Sequence, residues 1–276
     1  MLELIQITAD PALARRCAAL PEMRLFVDLE RHGKAERQAG RNSFISTHTL
    51  DDVAAVRAAA PEAPLMVRLN PWHPGTPGEV EAALARGADR LMLPMFREPR
   101  ELSAFCACVA GRVPVTALLE TAEALASIED WVATPGLDEV FVGLNDLHLA
   151  LGLRFMFEPL ALGWVDRVAA QARSHGRRFG FGGIARLDEG LLSGRDVLAE
   201  HLRLGSQAVI LSRTFQRSDA PEPFEAAVAA LRAAESALAR RRPEEVEADR
   251  VRIAERIRAI AAQMPRTDAG KAGASA

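Results

Sequence analysis

The chain has 276 residues, 49% of them hydrophobic, enough to bury a full core and too many for a disordered polypeptide. Its 34 basic and 37 acidic residues are interspersed and leave a formal charge of −3, which excludes the polybasic face of a nucleic-acid or membrane-headgroup binder and points to a small-molecule partner. No apolar stretch reaches the ~20 residues that span a bilayer, and the start MLELIQITAD lacks the regions of a secretion signal, so a cytoplasmic protein is expected.

Eight short β-type runs follow one another along the chain. The first four are LELIQI (2–7), RLFVDL (24–29), LMVRL (65–69) and RLMLP (90–94). VPVTALL (113–119), EVFVG (139–143), RRFGFGGI (177–184) and QAVILS (207–212) complete the set. Helical patterns fill the gaps, beginning with TLDDVAAVRAAA (49–60), where Thr49 and Asp52 have the spacing of a capping box. PGEVEAALARG, EPRELSAFCACVAG, TAEALASIEDWVA, PLALGWVDRVAAQARSHG and GRDVLAEHLRLG follow, and Gly87, Gly176 and Gly205 are suited to helix C-caps. Eight β-then-α units in ~215 residues fit an α/β fold of the TIM (β/α)8 barrel class, whereas a doubly wound sheet would usually stop near six strands.

The barrel is expected to occupy residues 1–240, with PEPFEAAVAALRAAESALARRR supplying its eighth helix. PEEVEADRVRIAERIRAIAAQM is an additional C-terminal helix, over 241–264. Val246, Val251, Ile253, Ile257 and Ile260 give it a partial apolar stripe broken by charges, suited to a neighbouring subunit or to a solvated place on its own barrel. Residues 265–276 read as a disordered tail.

Barrel enzymes carry their sites at the C-terminal ends of the strands, so chemistry is sought in the residues that end each run. Asp28 and Glu30 end the second, followed by Arg31 and His32; Arg68 and then Asn70 end the third. Glu120 ends the fifth and Asn145 and Asp146 the sixth, while Gly183 with Arg186, and Ser212 with Arg213, end the last two. Acids from strands two, five and six therefore face an arginine from strand three, and a hard divalent cation would relieve their repulsion. Mg2+ typically takes one or two protein carboxylates and leaves its other positions to water and substrate, which suits Glu120 and Asp146 as ligands with Asp28 and Glu30 behind them. Mn2+ or Co2+ would suit the same oxygen donors. The alternative for Asp146, and less so for Glu120, is an N-cap of the next helix. Main-chain N–H groups at Gly143, Leu144 and Asn145, ahead of a short helix, suit a substrate carboxylate.

Only Lys34 and Lys271 are lysines, the first in a polar loop and the second in the tail TDAGKAGASA, so imine-forming catalysis is not expected. Cys17, Cys106 and Cys108 have neither CxxC nor paired Cys/His spacing and read as buried thiols, not a zinc site or a disulfide. FGFGGI completes no G-x-G-x-x-G at a helix start and reads as a barrel strand that needs small residues. Arg186, Ser212 and Arg213 have the chemistry to grip an anionic acceptor, with ordinary surface or inter-subunit contacts as the alternative.

The segments FVDLE, GADRLMLP, LLETAEAL and PGLDEVFVGLNDLHLALG resemble the HpcH/HpaI family of metal-dependent 2-oxo-acid aldolases. Its citrate lyase β-subunit and malyl-CoA lyase relatives belong to the same pyruvate/phosphoenolpyruvate barrel superfamily, and the resemblance runs from about residue 24 to 215. It implies metal ligands at Glu120 and Asp146, a catalytic arginine at Arg68 in LMVRLNP, and a homo-oligomer, commonly a trimer or hexamer. It further implies a lyase that joins or separates pyruvate, or a similar 2-oxo acid, and an aldehyde through an enolate whose charge Mg2+ and Arg68 stabilise. Three features depart from the family pattern: the order Asp28, Leu29, Glu30, Arg31, His32 displaces the expected histidine by one, GLND lacks a proline after the glycine, and Met95 stands where a lysine is common. His32 remains the first candidate base, with His48, His73 and His148 behind it, and a structural histidine as the alternative. Two further functions stay open: an acyl-CoA lyase of malyl or citryl type, and an inactive barrel serving as a binding or scaffold subunit.

Overall fold

The computed structural model describes residues 1–32, 47–217, 219 and 222–265. Strands β1 (Glu3–Ile7), β2 (Met23–Asp28), β3 (Leu65–Arg68), β4 (Arg90–Leu93), β5 (Val115–Leu119), β6 (Leu137–Val142), β7 (Arg178–Ile184) and β8 (Ala208–Leu211) pair in chain order. All pairings are parallel, and β8 closes on β1. This is the expected TIM-type barrel, and every strand lies within two residues of the run that signalled it. Among the described residues no helix is long and apolar enough to cross a membrane. The tail beyond 265, Lys34, Lys271 and most of the 31–49 loop lie outside the described residues.

Side chains alternate across each strand, and the two faces do different work. Outward residues such as Leu25, Val27, Val67, Leu91, Leu93, Val140 and Val142 meet the helices in one continuous core. Inward residues Ile5, Phe26, Met66, Met92, Leu118, Phe141 and Ala208 form a second cluster that plugs the barrel. Gly180 is part of that fit, because a Cβ there would stand 2.7 Å from the Phe141 ring and from the Ala208 carbonyl. One two-residue step beyond the plug places Asp28 after Phe26, Arg68 after Met66, Glu120 after Leu118 and Gly143 after Phe141 at the mouth.

One step below the plug, the barrel floor is ionic. Arg24 donates to both Glu139 oxygens, at 2.8 and 3.0 Å, and also pairs with Glu3. Arg178 reaches Glu3 at 2.7 Å and Glu139 at 3.3 Å, and Thr116 Oγ1 donates to Glu139 at 2.9 Å. Burial alone would raise the Glu139 carboxyl, but the charge and bonds of Arg24, with Arg90 and Arg178, hold it down at about 2 against an ordinary 4.5. A depressed carboxyl stabilises the fold above its ordinary value and loses that contribution as pH falls toward 2. Glu139→Gln, which leaves buried arginines short of a partner, should cost about 3 kcal/mol at neutral pH. Urea unfolding checks this, and the variant should also lack the part of acid destabilisation that the wild type shows between pH 4.5 and 2.

The helical layer follows its caps. Helix α1 (Pro11–Ala18) starts on Asp10, whose Oδ1 accepts the Ala12 N–H at 2.8 Å, with Pro11 next. The Thr49–Asp52 capping box opens α2 (Leu50–Ala59) as expected. Then come α3 (Thr76–Ala85) and α4 (Pro99–Val109). The run at 121–133 splits into α5 (Ala122–Ala126) and α6 (Ile128–Trp131), where the Ser127 hydroxyl bonds back to the Glu123 carbonyl at 2.9 Å. After α7 (Leu144–Ala150), the run at 159–176 splits into α8 (Glu158–Ala161) and α9 (Trp164–Ser174), with left-handed Gly163 between them. Helices α10 (Gly194–Leu204), α11 (Phe224–Leu238) and α12 (Pro243–Gln263) complete the chain. The added helix α12 lies on α8 and α10 of its own barrel and buries Ile253, Ala254, Ile257 and Ala261 there, so only Val251 of its stripe is left well exposed.

Candidate active site

Five charged side chains converge at the mouth. Arg68, at the end of β3, donates through Nε and Nη2 to the two Asp28 oxygens, each at 2.8 Å, and its Nη1 lies 3.3 Å from Glu30. Its guanidinium also covers the Phe26 ring, 5.7 Å from the centroid. Burial works against the charge on Arg68, and the Asp28 and Glu30 carboxylates outweigh it, holding the group above its ordinary value. A guanidinium carries five N–H bonds, so this grip fixes its plane and still leaves donors for a ligand.

Glu120 follows β5 and is 2% exposed. It has no capping role, because Thr121 caps α5 by accepting the Ala124 N–H at 3.2 Å. Its Oε1 accepts the Met95 N–H at 3.0 Å. Its Oε2 lies over the Gly143 α-carbon, where a Cβ would stand only 2.8 Å away, so glycine is required at 143 for this approach. Asp146 is not an N-cap either: Gly143 holds that position in α7, and Asp146 sits half-buried in the first turn. Burial first, and the Asp146 charge next, push the Glu120 carboxyl well above its ordinary value, while Arg68 and the Met95 amide restrain it. Of the main-chain groups expected to meet a substrate carboxylate, Gly143 N–H is committed to the sheet, donating to the Leu119 carbonyl at 2.9 Å. Leu144 and Asn145 remain at the head of α7.

The four candidate histidines separate by their partners. His73 is engaged at both ring nitrogens: Nδ1 accepts the Gly75 N–H at 3.1 Å, and Nε2 lies 3.0 Å from Glu79 Oε1. His48 Nδ1 accepts the Asp28 N–H at 3.2 Å, and buried His148 points Nδ1 at the Leu144 carbonyl, 3.2 Å away within its own helix. His32 is exposed and meets His73 edge-on, ring centroids 4.7 Å apart. A feature not legible in the sequence seats it. Asn70 Oδ1 accepts the main-chain N–H groups of Arg31 and His32 at 2.8 and 3.0 Å. Asn70 is itself held by Glu79 of α3, which accepts its Nδ2 at 2.7 Å and its N–H at 3.2 Å.

Of the remaining strand-end residues, Arg186, Ser212 and Gly183 are absorbed by the fold. Arg186 donates to the carbonyls of Thr214 and Glu222, at 2.9 and 3.0 Å, and covers Phe215, which makes it a clamp on the β7 and β8 loops. Ser212 caps the short 3-10 turn Arg213–Gln216, Arg213 is exposed on that turn, and Gly183 lies within β7. Cys17 and Cys106 are buried thiols, pushed up to about 12 and about 11 by desolvation.

The donor set fits a hard divalent cation. Asp28, Glu30, Glu120 and Asp146 put four carboxylates against the single guanidinium of Arg68, two of them spent on holding it. Among the described residues no group of three or more His, Cys, Asp and Glu side chains is arranged to enclose a metal. Two carboxylates with open positions are what Mg2+ takes when substrate and water complete its shell.

Comparison with known proteins gives a consistent picture. The model of the HpcH/HpaI aldolase/citrate lyase family matches residues 6–178. A (3S)-malyl-CoA thioesterase of Cereibacter sphaeroides is 30% identical over 99 residues, which are 36% of this chain and 34% of that protein. The chain thus spans about a third of the length of the curated relatives it matches. A citrate lyase from Burkholderia xenovorans LB400 superposes with a TM-score of 0.61 at 17% identity, covering 96% of this chain and 94% of that one. The citrate lyase beta subunit of M. tuberculosis, complexed with oxaloacetate and magnesium, superposes with a TM-score of 0.55 at 18% identity, over 85% of this chain and 96% of that one.

Proposed function

The chain belongs to the HpcH/HpaI aldolase/citrate lyase family, and from that premise we propose that it is a divalent-metal-dependent lyase joining or separating pyruvate, or a close 2-oxo acid, and an aldehyde. The observation that carries this reading is the Glu120–Asp146 pair: burial and the Asp146 charge push the Glu120 carboxyl well above its ordinary value, and Arg68, already held by Asp28 and Glu30, offsets this only in part. A cation held there, Mg2+ or a similar ion, supplies Lewis acidity toward a keto oxygen and an anchor for the adjoining carboxylate.

The chain's own residues do the rest. In the cleavage direction the aldol hydroxyl loses its proton, the carbon–carbon bond breaks, and its electron pair passes into the 2-oxo-acid fragment. Arg68, with its plane locked by Asp28 and Glu30, stabilises the negative charge that grows on the keto oxygen of that fragment. His32, presented at the rim by Asn70, is assigned the hydroxyl proton. The head of α7 at Leu144 and Asn145 offers N–H donors to the substrate carboxylate.

A CoA-ester lyase is the second reading, favoured by the partial match to the malyl-CoA thioesterase. Deuterium exchange at the pyruvate methyl group, followed by proton NMR in D2O, tests the first. Exchange should require Mg2+ or Mn2+ and stop with EDTA. Exchange that survives EDTA sinks the metal reading, whereas turnover of malyl-CoA without pyruvate exchange selects the second.

A further inference from the structure

Met95 follows β4 through Pro94 and holds φ at +54°, one of three non-glycine residues in the left-handed region among the described residues. Side chains disfavour that region, so its occupants have a reason to be there. Ala110 caps the end of α4, and Glu22 closes the turn before β2. Met95 is the one of the three that stands at the mouth. In the β4–β5 ladder, Leu91 N–H donates to the Pro114 carbonyl, and steps of two along both strands would bring Met95 N–H to Leu118. The chain turns instead, and the amide donates to Glu120 Oε1 at 3.0 Å.

We propose that Met95 is a positioning residue whose main-chain amide, held in this left-handed turn, fixes Glu120 Oε1 and so presents Oε2 beside Asp146 for the cation. The inference rests on the reading of Glu120 as a metal ligand. Two main-chain features then set one carboxylate: the Met95 amide takes one oxygen, and the missing Cβ of Gly143 makes room for the other, three residues ahead of Asp146. The side chain at 95 is not part of the device. Fixing one oxygen prevents the carboxylate from rotating in a mouth where burial and Asp146 both oppose its charge.

The test replaces Met95 by its α-hydroxy acid, which turns the amide into an ester and removes only the N–H. Mn2+ affinity is read by electron paramagnetic resonance on the full chain. The ester form should bind Mn2+ about tenfold more weakly than the wild type. Met95→Gly, which keeps the N–H and accepts the left-handed turn, should stay within about twofold. Unchanged affinity in the ester form, or an equal loss in Met95→Gly, overturns the proposal. A wild type that binds no Mn2+ refutes the metal reading itself. Should the ester form fail to fold by circular dichroism, 15N-methionine labelling of the wild type decides. The Met95 amide resonance, identified by its absence in Met95→Leu, should move both in Glu120→Gln and on adding Mg2+; a resonance that moves in neither case overturns the proposal.

Discussion

Glu120→Gln and Asp146→Asn should each slow Mg2+-dependent methyl exchange of pyruvate by about 10³-fold or more, because each removes one of the two carboxylates proposed to hold the cation, while Asp28 and Glu30 are engaged with Arg68. The two variants should differ in stability. Glu120 is buried, its carboxyl is pushed well above its ordinary value by desolvation and by Asp146, and an amide of the same shape removes that repulsion. Glu120→Gln should therefore melt at or above the wild-type temperature without metal and gain nothing when Mg2+ is added. Asp146→Asn, in the first turn of α7, relieves the same repulsion but leaves the Glu120 charge buried, so it should gain less without metal and show the same loss of Mg2+ response. Differential scanning calorimetry with and without Mg2+ separates lost metal binding from lost folding. A variant that keeps both the exchange rate and the Mg2+ response would remove that residue from the site.

The second large effect is expected at Arg68. Arg68→Lys preserves the charge but cannot reproduce the two parallel 2.8 Å bonds to Asp28 together with the contact to Glu30. The ammonium will sit on the carboxylates and point away from the substrate, and exchange should fall by about 10²-fold with the Mn2+ dissociation constant nearly unchanged. Arg68→Met should fall further, by about 10³-fold, and lose stability as well, since the buried Asp28 and Glu30 carboxylates then lose the charge they share. Measured together, rate and Mn2+ affinity distinguish a group that stabilises charge on substrate from one that holds metal. A parallel collapse of both would place Arg68 in the metal shell instead.

Much of this was legible in the sequence, for physical reasons. Glu120 and Asp146 stand at the ends of apolar runs, and a barrel brings strand ends to one mouth, so reading the residues that end each β-type run placed them with Asp28, Glu30 and Arg68. The capping box at Thr49 and Asp52 marked a true helix start. Other features depend on closure of the chain. Arg24 and Glu139 are 115 positions apart and meet only because the barrel closes. Asn70 was visible only as the end of the third run and Glu79 not at all, because their link to the N–H groups of Arg31 and His32 spans three segments. The left-handed turn at Met95 has no signature in a methionine, and the Gly143 N–H, which precedes a helix and so looks available, is taken by the β5 ladder. The stripe on α12 was visible, but its seat against α8 and α10 was not, because alanines as well as isoleucines fill it.

A crystal structure of the protein soaked with Mg2+ and pyruvate tests the central claim most directly. The expected result is one cation at about 2.0–2.1 Å from an oxygen of Glu120 and an oxygen of Asp146, with pyruvate completing its shell and Arg68 facing the keto oxygen. A cation held by other residues, or pyruvate bound at the mouth without one, would contradict it.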